Sequence, residues 1–307
     1  MRWFESPNFD FIKAQQKAYF FSGTMIIVSI VGIIVMGLNY GIDFRGGQEF
    51  VFEFEEPVDV VEIRTELAGP LGTVPEIKLF GSTREILFRV DSEEDVTATR
   101  ELILENFAQL YPGNTVTVQK TDLVGPRFAE DLRRGAMYSI IFALAVVFIY
   151  IFIRFKGWWF SAGAIAALAH DVLIVLGIFT IMAEIAPFDV SINQALIAAF
   201  LTIVGYSLND TVVVFDRIRE NSIIYKTMNF KDMINKSLND TLSRTVVTSV
   251  TTLFVVSVLF IFGGEVLKGF AFALVIGVIL GTYSSLFVAS ALVVELQKRA
   301  TVKAKTK

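Results

Sequence analysis

The chain has 307 residues, a formal net charge of −4, one histidine and no cysteine. Hydrophobic residues make up 54% of it, and several apolar runs reach about 20 residues, the length needed to cross a bilayer. The composition therefore predicts a polytopic α-helical membrane protein, and it excludes a purely soluble fold as well as disulfide or thiolate chemistry.

The apolar runs predict six transmembrane helices, and a polar stretch of about 90 residues after the first predicts a separate domain. The later spans are expected at 135–153, 160–182, 192–215, 245–262 and 270–292. The whole order is an N-terminal segment at 1–18, helix 1 at 19–38, the domain at 39–134, helices 2–6 within 135–292 with a link at 216–243, and a basic tail at 293–307.

Lysine and arginine set the expected orientation, because cytoplasmic loops carry an excess of both. They are concentrated in the N-terminal segment, in the link and in the tail, whereas the loop after the third span carries Glu184 and Asp189. We therefore expect a multi-pass protein of the cell inner (plasma) membrane, with both termini cytoplasmic and the domain extracytoplasmic.

Within the domain, the residue pattern alternates between strands and helices. Strands are predicted at 48–54, 74–80, 85–90 and 115–120, helices at 57–67 and 92–110, and a hairpin turn at 81–84. The order β-α-β-β-α-β predicts a ferredoxin-like α+β fold. Because the domain contains no histidine, cysteine or phosphate loop, we expect a docking or substrate-handling module or, alternatively, a spacer without its own activity.

The link at 216–243 is polar, but it also contains apolar residues at helical spacing. These are Phe230, Met233, Ile234 and Leu238. The spacing predicts a short helix lying on the membrane surface.

Asp210 is the most unusual residue of the fourth span, because a carboxylate inside a membrane span costs about 2.5–3.5 kcal/mol on insertion scales. Thr202, Tyr206 and Ser207 are predicted to share its side of the helix, so that side should face the bundle interior or water. A buried carboxyl group that exchanges a proton would suit a proton carrier. A hydrogen-bonded structural aspartate is the alternative.

Arg244 opens the fifth span, which starts from the side of the membrane where the fourth span ends. Thr248 continues its helix face one turn later. An Asp210–Arg244 pair that forms and breaks would act as a proton switch, because a nearby cation changes how readily a carboxylate takes up a proton. The alternative is an arginine that only anchors the helix end at the membrane surface.

His170 and Asp171 lie near the middle of the third span. Neighbouring residues on a helix point about 100° apart, so we do not expect the two side chains to face each other. Either side chain is a candidate member of a polar pathway with Tyr206, Ser207, Asn209 and Thr248. A packing role for His170 is the alternative, and a single histidine argues against a histidine-based metal site.

Small residues recur every fourth position along the sixth span. They include Gly277 and Gly281, which form a G-x-x-x-G step. Such a ridge allows another helix to approach closely.

The segment 41–47 follows the first span and leads into the first predicted strand. Its glycines predict a turn with unusual backbone angles. Together with four later segments, it resembles the SecF family of bacterial protein-export proteins. The segments that carry the resemblance are Asp43-Phe44-Arg45-Gly46-Gly47, Val124-Gly125-Pro126, Ala169-His170-Asp171-Val172, 205–221 and 243–249.

The resemblance covers nearly the whole chain and implies a member of the resistance-nodulation-division superfamily. It implies that, with SecD, the protein forms a twelve-helix bundle beside the Sec channel (SecYEG) and uses the proton-motive force to promote late steps of export. By motif match, Asp210 and Arg244 would relay protons, and the external domain would handle the unfolded exported polypeptide. Protons would be the coupling ion, with no other cofactor, no enzymatic activity, no nucleic-acid partner, and membrane lipids as surroundings.

Three alternatives remain open from the residues alone. The first is the proton-driven exporter half of a small-molecule or lipid transporter of the same superfamily. The second is an intramembrane serine hydrolase with Ser207 as nucleophile and His170 as base. The third is an adaptor that only scaffolds the channel.

Overall fold

The computed structural model describes residues 7–91, 95–155 and 157–305. The predicted helix start at 92–94 and the basic residues Arg2, Lys156 and Lys307 lie outside the described residues. The helices are α1 (Phe11–Met36), α2 (Ile42–Arg45), α3 (Val60–Leu71), α4 (Val96–Leu110), α5 (Pro126–Phe155), α6 (Trp158–Met182), α7 (Gln194–Ile224), α8 (Phe230–Phe262), α9 (Glu265–Ser284) and α10 (Ser290–Lys305). The strands are β1 (Gly47–Phe54), β2 (Glu76–Phe80), β3 (Ser82–Val90) and β4 (Val116–Val124).

The chain divides into two compact units. The membrane unit consists of Met1–Gly37, Tyr138–Ile181 and Ile197–Lys307. The sheet unit consists of Leu38–Met137 and Met182–Leu196.

Six helical segments are long and apolar enough to cross a membrane, which confirms the predicted number. They are α1, α5, α6, α7, α8 and the segment Glu265–Arg299. The last segment contains a π-helical turn at Ser285–Ala289 between α9 and α10. Such turns are rare and occur frequently at functional sites.

The predicted surface helix in the link is wrong. The link instead consists of the end of α7, a short turn and the beginning of α8, which continues without a break into the fifth span. Met233, Ile234 and Leu238 are buried in the core of the membrane unit together with Phe215 and Phe11. Their apolar face packs against neighbouring helices, so it is not available to the membrane surface.

Helix α1 begins at Phe11, earlier than the predicted residue 19. Asp10 caps this end by accepting a hydrogen bond of 2.9 Å from the backbone N–H of Lys13. The segment before it is held to α8, because Asn239 donates a hydrogen bond of 2.8 Å to the Phe9 carbonyl. These contacts allow the helix to extend beyond its apolar run.

The glycine ridge of the sixth span produces close helix contacts within the membrane unit. A Cβ atom at Gly277 would lie 2.3 Å from Cγ1 of Ile203, and one at Gly281 would lie 2.9 Å from Cβ of Ser207. Both neighbours belong to α7, so the G-x-x-x-G step lets α9 approach the helix that carries Asp210.

The sheet unit contains a four-stranded antiparallel sheet with the order β2-β3-β1-β4. This order, with α3 between β1 and β2 and α4 between β3 and β4, is the predicted ferredoxin-like arrangement. Phe52, Phe88 and Phe107 are fully buried, and the rings of Phe52 and Phe107 meet at 5.1 Å. In this aromatic core the phenylalanine side chains of β1 pack against the apolar face of α4.

Two details of the sheet differ from the prediction. The hairpin turn is tighter than 81–84, since β2 ends at Phe80 and β3 begins at Ser82. Gly81 has a φ of 83°, a conformation that glycine adopts without strain. Strand β4 also continues to Val124, beyond the predicted residue 120, so the sheet extends to the motif that precedes α5.

Candidate functional site

Asp210 lies in α7 and is 3% exposed. Ser249 of α8 donates a hydrogen bond of 3.4 Å to its Oδ2 atom, and Thr282 of α9 donates one of 2.7 Å to Ser249 Oγ. We call these three residues the Asp210 cluster. It places a carboxyl group inside the bundle, where two hydroxyl-bearing side chains from neighbouring helices extend the polar environment.

Arg244 is exposed on α8. Among the described residues, no ion pair within 4.0 Å joins it to Asp210, although its charge acts electrostatically on that carboxylate. The Thr248 hydroxyl donates a hydrogen bond of 2.9 Å to the Arg244 carbonyl, which belongs to the same helix. The structure thus holds Asp210 and Arg244 apart, and the switching of this pair stays a prediction.

A second buried carboxylate, Asp171 of α6, is fully inaccessible to solvent. Its Oδ2 atom accepts hydrogen bonds from Ser207 of α7 at 2.8 Å and from Ser284 of α9 at 2.7 Å. With His170 and Ser22 these residues form what we call the Asp171 cluster. One carboxylate therefore connects three helices of the membrane unit.

The prediction that His170 and Asp171 do not face each other is wrong. His170 Nδ1 lies 2.9 Å from Asp171 Oδ1, within hydrogen-bond distance. The Cβ directions of neighbouring residues do diverge on a helix, but both side chains are long enough to rotate toward each other. The burial of both groups favours this contact, because it gives His170 Nδ1 and Asp171 Oδ1 a polar partner each.

The opposite side of the His170 ring leads to α1. His170 Nε2 lies 3.0 Å from Ser22 Oγ, which in turn lies 3.0 Å from the Tyr283 hydroxyl. Tyr283 donates a hydrogen bond of 2.9 Å to the Ala18 carbonyl. The Asp171 cluster thus extends from the centre of the bundle to the first span.

The Asp171 carboxyl group lies beside one basic side chain, the His170 imidazole. Asp171 is ion-paired only with His170 among the described residues, and that pair is charged only when the imidazole is protonated. An isolated charge in this environment is unfavourable. The contacts with Ser207, Ser284 and His170 therefore supply the polar partners that the buried Asp171 carboxyl group requires.

The predicted polar face of the fourth span divides into two groups. Ser207 and Asp210 are buried, whereas Thr202 and Asn209 are exposed. The Tyr206 hydroxyl is buried and has no hydrogen-bond partner within the described part of the chain. Thr202 and Asn209 lie seven residues, or about two helical turns, apart and therefore share the exposed face, so the prediction that Thr202 lies on the same side as Asp210 is wrong.

Four hydroxyl groups of the two clusters were missed by the sequence prediction. They belong to Ser22, Ser249, Thr282 and Ser284. A signal exists for two of them, because the run Thr282-Tyr283-Ser284-Ser285 is polar and leads into the π-helical turn of the sixth span. Ser249 also lies in a hydroxyl-rich run with Thr248, Thr251 and Thr252, whereas Ser22 in the apolar first span carries no such signal.

The contacts of Ser207 do not support the serine hydrolase alternative. Its hydroxyl donates to Asp171, and both His170 nitrogens are occupied by Asp171 and Ser22. A nucleophilic serine needs a hydrogen bond to its base. That bond is not among those of the described residues.

The glycines of the segment 43–47 contact the second predicted motif. Gly46 has a φ of 83°, and a Cβ atom there would lie 3.3 Å from Cα of Pro126. Gly125 links Pro126 to the end of β4. Gly47 has a φ of 109°, and its Cβ atom would lie 2.8 Å from the Val90 carbonyl oxygen. Phe44 is buried in α2, a short helix that the sequence did not predict.

Comparison with known proteins agrees with these motifs. The family described as protein export membrane protein SecD/SecF, C-terminal, matches residues 105–299, and the SecD/SecF GG motif matches residues 31–58. The protein translocase subunit SecF of Rhodothermus marinus is 54% identical over 99% of this chain and 98% of its own length. The chain belongs to the SecF family.

Other SecF relatives and solved structures agree with this assignment. SecF of Calditerrivibrio nitroreducens is 41% identical over 93% of each chain. The crystal structure of SecDF, a translocon-associated membrane protein from Thermus thermophilus, matches with a TM-score of 0.85 and 35% identity over 96% of this chain. SecDF in a super-membrane-facing form matches with a TM-score of 0.72 and 34% identity over 99% of this chain.

The two solved SecDF chains are much longer than this one. The chain spans 40% of the first and 41% of the second. In contrast, it spans nearly the full length of the SecF subunit of Rhodothermus marinus. The chain is thus similar to a SecF subunit and to one part of a SecDF protein.

Proposed function

We propose that this chain acts with SecD as a proton-driven subunit of the Sec translocase and promotes late steps of export. The observation that carries the proposal is the burial of two carboxyl groups, Asp210 and Asp171, inside a bundle of a SecF-family chain. Intramembrane carboxylates are rare and typically line ion pathways. We expect Asp210 to be the principal proton carrier and Arg244 to be the cation that responds to its charge.

The two clusters also support a polar pathway through the bundle. Ser207 and Asp210 both belong to α7, and Thr282 and Ser284 both belong to α9. The same two helices therefore contribute to both clusters. A proton carried inward across the membrane would release about 2.3 kcal/mol per 100 mV of membrane potential, which is the energy available for work on the exported chain.

An exposed polar surface on α7 and α8 supports a partner within the membrane. Thr202, Asn209 and Arg244 are exposed there, and Thr248 is half-buried beside them. Such groups are unfavourable next to lipid, so we propose that a SecD bundle covers them. The solved SecDF chains, of which this chain matches only 40% and 41%, provide a precedent for SecD and SecF in one assembly.

We extend the proposal to orientation and to the other partners. The distribution of lysine and arginine favours cytoplasmic termini and an extracytoplasmic sheet unit in the inner membrane. The sheet unit would then meet the unfolded exported polypeptide. The Thermus thermophilus relative is described as translocon-associated, which supports the Sec channel as a further partner.

The test is the Asp210→Asn variant in inverted membrane vesicles that contain SecD and the Sec channel. We expect the variant to insert and copurify with SecD but to lose the proton-dependent stimulation of export. Asp232→Asn is a matched control, because Asp232 is exposed in the first turn of α8. Normal stimulation in Asp210→Asn would contradict the proposal, and a drug or lipid phenotype without a secretion defect would favour an exporter.

A further inference from the structure

The loop between α6 and α7, residues 183–193, belongs to the sheet unit. Met182–Leu196 clusters with Leu38–Met137 rather than with the membrane unit. Its backbone is joined to the segment after α1, since Ile192 donates a hydrogen bond of 2.7 Å to the Asn39 carbonyl and Gly41 donates one of 3.0 Å to the Ile192 carbonyl. The loop is therefore attached to the sheet unit and is not a free connection between two spans.

The start of α7 is also attached to this unit. Asp43 Oδ2 accepts a hydrogen bond of 2.9 Å from the backbone N–H of Gln194, the first residue of α7. The first N–H groups of a helix have no partner within the helix, so a carboxylate at this position stabilises the helix start. Asp43 belongs to the glycine-containing segment 43–47, which continues directly into β1.

A buried ion pair fixes the loop to the sheet itself. Arg89 of β3 donates a hydrogen bond of 2.9 Å from Nη2 to Asp189 Oδ2 in the loop, and one of 2.6 Å from Nε to Glu49 Oε2 of β1. The side chains of Arg89, Glu49 and Asp189 are 8%, 7% and 16% exposed. Ser191 strengthens the pair, because its backbone N–H and its hydroxyl both donate to Asp189, at 3.0 and 2.9 Å.

The charges of this pair are stable despite their burial. Burial alone would raise the pKa of Asp189, but the charge of Arg89 and the hydrogen bonds from Ser191 outweigh it and hold that pKa below its usual value. Burial would likewise lower the pKa of Arg89, but Asp189, Glu49 and Glu76 raise it. Removal of Arg89 would take away the cation that compensates Asp189, which is unfavourable for a largely buried carboxylate, whereas removal of Asp189 would leave Arg89 paired with Glu49.

We propose that the Arg89–Asp189 pair is a mechanical tie that makes the α6–α7 loop and the first turn of α7 move with the sheet unit. The inference rests on the proposed function. Helix α6 carries His170 and Asp171, and α7 carries Asp210. The tied loop therefore joins the two helices that hold the buried carboxyl groups, since α6 ends at it and α7 begins after it. A movement of these helices on proton transfer is thereby delivered to the sheet unit, and Arg89 is a positioning residue for export.

The tie makes a specific prediction about uncoupling. Arg89→Gln and Asp189→Asn in the full complex with SecD and the Sec channel should lose most of the proton-dependent stimulation of export. Proton flux under an imposed pH gradient, measured with a pH-sensitive dye in the same vesicles, should persist. Arg84→Gln is the matched control, because Arg84 lies on the same strand and is exposed.

A covalent bridge can replace the ion pair. A Cβ atom at Gly41 would lie 3.0 Å from Ser191 Oγ, and the chain has no other cysteine to interfere. Gly41 has a φ of −70°, which any residue adopts. The pair Gly41→Cys and Ser191→Cys, added to Arg89→Gln, should restore the stimulation when oxidised and lose it again when reduced.

The outcomes separate this inference from the proposed function. The tie would be overturned if Arg89→Gln left the stimulation unchanged. It would also be overturned if Arg89→Gln lost both proton flux and stimulation, and oxidation of the cysteine pair did not restore them. If Asp210→Asn loses stimulation in these same vesicles, the proposed function stands while the tie fails. A wild-type complex without any proton-dependent stimulation would instead overturn the proposed function.

Discussion

Ser207 of α7 donates a hydrogen bond of 2.8 Å to Asp171 of α6, and neither side chain is accessible to solvent. Because Ser284 of α9 donates to the same carboxylate oxygen, Asp171 holds three helices in register. The residue that looked from the sequence like one candidate of a polar pathway is therefore also a structural centre of the membrane unit.

The first prediction concerns Ser207→Ala. We expect the variant to unfold at a lower temperature, with a decrease of about 1–3 kcal/mol in the free energy of unfolding, because a buried acceptor loses a hydrogen bond. Export should continue, since His170 and Ser284 still bind Asp171. The measurement is thermal unfolding of the purified protein in detergent, together with secretion in cells.

Ser290→Ala provides the control for this experiment. Ser290 is buried like Ser207, but within the described part of the chain its hydroxyl bonds only to the Leu286 carbonyl of its own helix segment. Its substitution should change the unfolding temperature less. A complete loss of export in Ser207→Ala with an intact fold would contradict the prediction and would favour the hydrolase alternative.

The second prediction concerns the contact between α9 and α7. Gly277→Ala would place a methyl group 2.3 Å from Ile203, so we expect a loss of about 1–3 kcal/mol from overpacking. Ile203→Ala should partly restore stability in the double variant, because it opens space at the same point. The measurement is a double-mutant cycle of thermal unfolding.

Gly23→Ala is the matched control for overpacking. Gly23 lies in α1 and has no atom within 4 Å of the added methyl group, apart from its own helix. It should be neutral or slightly stabilising, since alanine favours the helix. Equal effects of Gly23→Ala and Gly277→Ala would show that the loss comes from the backbone and not from the contact with Ile203.

These contacts show why some features are predictable from the sequence. The spacing of Gly277 and Gly281 depends only on the helix period, so the close approach of another helix could be predicted. The phenylalanine- and valine-rich composition of β1 and the order of elements likewise predict the ferredoxin-like sheet. In each case a local pattern decides the structure.

The features that the sequence did not predict depend on tertiary contacts. The contact of His170 with Asp171 depends on rotamers that burial selects. The exposed position of Arg244 depends on how α7 and α8 are rotated about their axes. The buried face of Leu238 depends on a core formed with residues far away in the chain. The pattern of apolar and polar residues along one helix cannot distinguish a face that packs in the core from a face that lies on the membrane surface.

The third prediction concerns the aromatic core of the sheet unit. Phe107→Ala should destabilise this unit by about 3–5 kcal/mol, because Phe107 is fully buried and its ring meets Phe52 and Phe54, each at 5.1 Å. Hydrogen exchange of peptides from β1 and β3 measures the effect. Val61→Ala, at a position on α3 that is 67% exposed, should leave the exchange unchanged, and equal exchange in both variants would contradict the prediction.

The last prediction concerns the response of the Arg89–Asp189 pair to acid. The pKa of Asp189 in the folded protein lies below its ordinary value of 3.8. A carboxylate with a lowered pKa stabilises the fold above its ordinary pKa, and this contribution disappears as the pH falls through the folded value. The pair should therefore keep its full effect from neutral pH down to about pH 4 and weaken below it.

Hydrogen exchange of the α6–α7 loop between pH 7 and pH 3 measures this response, after correction for the intrinsic pH dependence of exchange. Asp189→Asn should exchange faster than the wild type at pH 7, and the difference should shrink progressively below about pH 4, as Asp189 is protonated first in the unfolded chain and only at lower pH in the folded one. A difference that instead disappears between pH 5 and pH 7 would show that the pair itself titrates in the physiological range. The tie would then act as a proton sensor, whereas a constant difference leaves proton sensing to the carboxyl groups of the bundle.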